Sequence, residues 1–146
     1  MSLKSLFLGA VLPTLLLGLG TVLMKLSMRE GSSIPNYLVA VGISVLSVGI
    51  AGTVVGAGWV SQARAIFYAA SMGLVWAGAI GSMAYAVTVL NIPLSILAPI
   101  TNANALVAVA LSAIVFGEWQ SLHLLKVISG TLFIVIGAAI VSTAKL

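Results

Sequence analysis

Two asparagines, Asn102 and Asn104, and a threonine, Thr101, sit inside an otherwise apolar run, NIPLSILAPITNANALVAVALSAIVFGE, that extends from Asn91 to Glu118. An amide side chain carries both donors and acceptors, so the chemistry on offer is neutral hydrogen bonding rather than acid–base or nucleophilic work. In hydrocarbon an unpartnered amide costs roughly 1 to 3 kcal/mol, so both asparagines should face protein or a cavity. Two apart on a regular helix, they point about 200° from each other and cannot both line one cavity unless the backbone is distorted. Pro99 supplies a reason for distortion: it lacks an N–H, so the Ser95 carbonyl loses its helical partner. Thr101 shares a face with Asn104. The pattern predicts a substrate site with Pro99 as a hinge, one amide lining a path and the other clasping a neighbour, or else a clasp between helices with no ligand.

Four further residues have chemistry to consider. Trp76, far from either end of its apolar run, either stacks on a substrate or packs with its N–H satisfied by a neighbour. Lys25 either neutralises an anionic group or extends its ammonium to the membrane interface. Glu118 is a coupling carboxylate or a residue that orders its loop, and His123 has neither a nucleophile nor an acid placed for a triad. With two acids, one histidine and no cysteine in 146 residues, the sequence predicts no catalytic centre, no metal site, no cofactor and no disulfide. The basic residues form no aromatic-interleaved patch, so no nucleic-acid partner is expected.

The elements that must position these residues follow from composition. The chain is 62% hydrophobic and 5% charged, with a mean hydropathy of +1.29; charged residues make up about a quarter of an average soluble domain. Windows of about 20 apolar residues predict an all-α polytopic membrane protein with five transmembrane helices, at about 6–24, 37–60, 65–90, 93–116 and 122–141. The first is read as a retained span rather than a signal peptide, because it is about as long as a membrane crossing and others follow. The breaks REGSSIPN, SQAR, NIP and GEWQS are short, so each helix runs antiparallel to the next.

Small residues recur at helical spacing: Gly42, Gly49 and Gly56 on the second span, with Gly52 and Gly56 forming a GxxxG; Gly73, Ala77 and Gly81 on the third; Gly130 and Gly137 on the fifth. These predict close interhelical seams. An odd number of spans puts the termini on opposite sides, with Lys4, Arg64 and Lys126 on one and Lys25, Arg29 and Lys145 on the other. Three basic residues against three give no orientation by the positive-inside rule. The chain then inserts both ways as an antiparallel homodimer, or a partner or local cue fixes one orientation.

In this order the motifs resemble the EamA module of the drug/metabolite transporter superfamily. The carriers of the resemblance are the Pro-initiated helix IPLSILAPITNANALVAVALSAIVFGE ending in Gly117 and Glu118, the glycine-spaced VISGTLFIVIGAAIVS, and LLLGLGTVLMKLSMREG, in which small residues precede Lys25. The resemblance implies one five-helix module, where typical members pair two in inverted orientation around a central substrate path. It departs from the four-helix multidrug-resistance relatives, since the first span has no acid. The sequence therefore predicts a cell-membrane transporter of a small organic solute, working by alternating access as a homodimer or a pair of five-helix modules. The path would be lined by Asn102, Asn104, Thr101, Trp76 and Lys25. The alternative is a non-transporting subunit that stabilises or regulates a membrane partner.

Overall fold

The computed structural model describes residues 3–56, 62–117 and 123–143. Among them every regular element is helical: α1 (Leu3–Leu6), a π-helical turn (Phe7–Val11), α2 (Leu12–Arg29), α3 (Ile34–Val55), α4 (Ala63–Thr88), α5 (Leu94–Thr101), α6 (Asn104–Val115) and α7 (Leu124–Ser142). They make five helical stretches long and apolar enough to cross a membrane. The expectations that rest on Glu118 and Lys145 lie outside the described residues.

The expected boundaries need correction at several ends. The first stretch is longer than 6–24, running continuously over Leu3–Arg29, so Lys25 belongs to the helix. Its π turn is closed by the Leu12 N–H donating to the Phe7 carbonyl. Pro13 explains it: the ring clashes with an upstream carbonyl and offers no N–H, and one wider turn relieves both problems. The Thr14 hydroxyl helps by donating to the Ala10 carbonyl at 2.8 Å.

Helix α2 stops at a Schellman turn. Gly31 lies at φ +90°, its N–H donates to the Met28 carbonyl at 3.1 Å, and the Ser32 N–H reaches back to Ser27 at 3.1 Å. The second stretch begins three residues earlier than expected, at Ile34, because Ser33 caps the helix by accepting from the Asn36 N–H at 3.4 Å and Pro35 suits the first turn. It ends at Val55. Helix α4 ends at Thr88, and three residues on Asn91 takes φ +54°, a conformation asparagine tolerates better than most residues.

The largest correction concerns the fourth stretch. The single helix expected over 93–116 is two, α5 and α6, joined by Asn102 and Ala103.

Contacts within the chain cluster into two compact units, Met1–Asn91 and Ile92–Leu146. In the first, α2, α3 and α4 pack on one another. Met24 and Ala84 are fully buried and Met83 nearly so, while Leu38 and Ile34 of α3 come within 3.6 and 3.9 Å of where a Cβ on Gly81 would stand. Alternating helix direction brings the end of α2, the start of α3 and the end of α4 to one end of the unit, and these tight contacts concentrate there. In the second unit α5 packs on α7.

The outer faces are apolar and uncovered: Val48, Leu74 and Ile114 are 74%, 76% and 77% exposed. Such surface drives aggregation in water and suits a hydrocarbon solvent. The expected glycine seams are mostly not made among the described residues. Gly42, Gly49, Gly52, Gly73, Gly130 and Gly137 have no neighbouring atom within 4 Å of a built Cβ, and Gly81 alone of the striped glycines meets another helix. Gly56 has a different reason to be glycine: it turns the chain out of α3, and a Cβ there would stand 2.7 Å from the Gly52 carbonyl oxygen.

Candidate functional site

Thr101, Asn102 and Asn104 fall on one turn of the second unit. Helix α5 is only 8 residues long and holds Pro99 in its interior. Three residues after that proline the backbone tightens into i to i−3 pairing: Ala103 N–H to the Ile100 carbonyl at 3.1 Å, Ala105 N–H to Asn102 at 3.2 Å, and Leu106 N–H to Ala103 at 3.0 Å. Asn102 (φ −66°, ψ −13°) and Ala103 (φ −64°, ψ −7°) carry this tight turn. Pro99 is thus not the break itself. It removes one rung of α5, and the helix yields a few residues later, at the amides.

Three residues per turn, rather than 3.6, changes which side chains share a face. At about 120° per residue, positions two apart point about 120° from each other, closer than the roughly 160° separation on a regular helix. Thr101, Asn102 and Asn104 are all exposed.

Their hydrogen bonding separates them. The Thr101 hydroxyl donates to the Ala98 carbonyl at 3.0 Å, which leaves it only as an acceptor toward a ligand. This is the general habit of hydroxyls in this chain: Thr14, Thr21, Ser44, Ser47, Thr53, Ser71, Ser82 and Thr88 all donate to a carbonyl three or four residues back, at 2.7 to 3.0 Å. A hydroxyl satisfied by its own helix can lie in an apolar medium at little cost. The side-chain amides of Asn102 and Asn104 have no hydrogen-bond partner among the described residues. Each is a bare donor–acceptor set in an apolar stretch.

The remaining candidates belong to the first unit. Trp76 is half-buried on α4, seven residues before the buried Met83, or about 10 Å along the axis. Lys25 is exposed beside the fully buried Met24 and has no ion-pair partner among the described residues. Among the described residues no three His, Cys, Asp or Glu side chains cluster as metal ligands. The sequence reading missed one irregularity, the π turn at Phe7–Val11; Pro13 was its available signal.

Comparison with family models, with curated proteins and with solved structures finds no match for this chain.

Proposed function

We propose that the chain is a multi-pass cell-membrane transporter module for a small organic solute, and that it works by alternating access in a dimer of five-helix modules. The observation that carries this reading is the broken fourth span, where two amides without partners flank a tight turn in an apolar helix. Irregular backbone at membrane depth persists where it lines a cavity or is held by protein, and a helix interrupted in mid-span is how many carriers assemble a binding site. The resemblance of the span order to an EamA module supports the same reading. Asn102 would hold the solute by neutral hydrogen bonds, and Asn104 would clasp a neighbouring helix. Thr101 would contribute an acceptor and Pro99 a compliant point.

A second reading, a non-transporting subunit that stabilises a membrane partner, is favoured by the uncovered glycines of α3 and α7, which suit close helix packing. The two separate in one experiment. Purified protein in proteoliposomes is given labelled amino acids, sugars, nucleotide-linked metabolites and lipophilic cations in turn. The transporter reading expects saturable uptake of one class, lost in Asn102→Leu; a panel with no uptake above empty liposomes favours the subunit.

A further inference from the structure

We propose that a second copy of this chain covers the α5–α6 junction, with Asn104 of each copy hydrogen-bonded to Asn104 of the partner copy across a two-fold axis at mid-span. The proposal rests on the membrane reading above and deepens it by naming what completes the site.

The need for a cover comes from the amides. Both are exposed and without side-chain partners among the described residues, in an apolar stretch where the neighbouring Thr101 hydroxyl is closed onto its own helix. In hydrocarbon that arrangement demands a partner. Chemistry selects the partner's type. A carboxylate or an ammonium repels its own copy, whereas an amide is donor and acceptor at once, and two amides related by a two-fold axis can exchange a pair of N–H···O bonds.

Position selects the residue. The fourth span is Leu94–Val115, 22 residues, and Asn104 has ten of them before it and eleven after. A two-fold axis along the membrane normal brings any residue level with its own copy, but an axis in the membrane plane does so only for residues at mid-depth. Asn104 satisfies both. The even division of basic residues, three and three in the topology of five spans, leaves both arrangements open. Around Asn104 the surface is apolar and free to pack, with Val107 59% and Leu111 54% exposed.

The chain has no cysteine, so a single Asn104→Cys variant can be cross-linked without background. In native membranes treated with copper phenanthroline, the proposal expects a disulfide-linked dimer on non-reducing gels. Leu111→Cys, seven residues further or about 10 Å along the axis, cross-links in a parallel pair and not in an antiparallel one, where its copies are about 21 Å apart. An Asn104→Cys chain that reacts with a maleimide yet stays monomeric under oxidation overturns the proposal.

Because cysteine deletes the amide, self-association in detergent is measured beside it. Asn104→Ala weakens the dimer by roughly tenfold to several-hundredfold, the range set by the loss of both interhelical hydrogen bonds in a membrane, and Asn104→Gln restores most of it; association unchanged in Asn104→Ala overturns the proposal. A cross-linked dimer that moves no solute refutes the transport reading and leaves the pairing standing. Solute flux by a strictly monomeric chain refutes the pairing together with the dimeric form of the transport reading, and leaves solute transport itself standing.

Discussion

In the third span, Ser71 and Ser82 close their hydroxyls onto the carbonyls of Phe67 and Gly78, each at 2.8 Å, and α4 runs unbroken over Ala63–Thr88. In the fourth, Asn102 and Asn104 find no such closure, and the helix is cut between Thr101 and Asn104. The contrast lies in the reach and valence of the side chain. A hydroxyl sits close enough to donate its one proton to a carbonyl on the previous turn, so the helix absorbs it. An amide has two donors and an acceptor, and one helix does not supply partners for all of them. A serine in an apolar span is therefore a weak marker of function, and an asparagine is a strong one.

The largest effect that would break this comparison is on flux. Asn102→Ala is expected to cut solute uptake by about tenfold, the loss of one hydrogen bond worth about 1.4 kcal/mol, while Ser71→Ala and Ser82→Ala leave it unchanged; proteoliposome uptake measures all three. Equal losses in both spans would erase the distinction. Next comes packing. A Cβ on Gly81 would meet Leu38 at 3.6 Å, an ordinary contact, so Gly81→Ala is near neutral, whereas Gly81→Leu overpacks the α3–α4 contact and costs about 1 to 3 kcal/mol, read as a lower melting temperature in detergent. Gly31→Ala, forced into φ +90°, costs about 1 kcal/mol by the same measurement.

The smallest effect is the sharpest about cause. Pro99→Ala gives back an N–H for the Ser95 carbonyl, so amide exchange slows in α5, yet the turn at Asn102 and Ala103 persists because the proline lies inside α5 and not at the break. Disappearance of the turn in Pro99→Ala would make the proline its sole cause.

Much of this architecture is legible in the amino-acid sequence. Apolar run length pointed to five helical stretches long enough to cross a membrane, and the Gly31, Ser33 and Pro35 cluster punctuates the chain where the first loop forms. Asn102 and Asn104 were conspicuous because their chemistry does not suit their surroundings. What the sequence concealed was local compensation. Pro13 does not end its helix, since a π turn and the Thr14 hydroxyl absorb it; Pro99 does not mark the break, since α5 survives it by two residues. The glycine stripes misled for another reason. Spacing alone does not say whether a neighbour stands opposite, and only Gly81 among them has one in the described chain. Gly56 was counted in a stripe when its own backbone requires it.

The most direct test of the broken fourth span as a polar, water-reachable site is a cysteine scan across Leu94–Val115 in membranes, which the cysteine-free sequence makes clean. Each position is reacted with a membrane-impermeant maleimide, in both sealed and opened vesicles. Labelling is expected at 101 and 102 and protection at Val107, Ile114 and Val115, so that reactivity appears in mid-span where a lipid-facing helix would have none. Uniform protection from Leu94 to Val115, with labelling only at the ends, would contradict it and make the amides a dry clasp between helices.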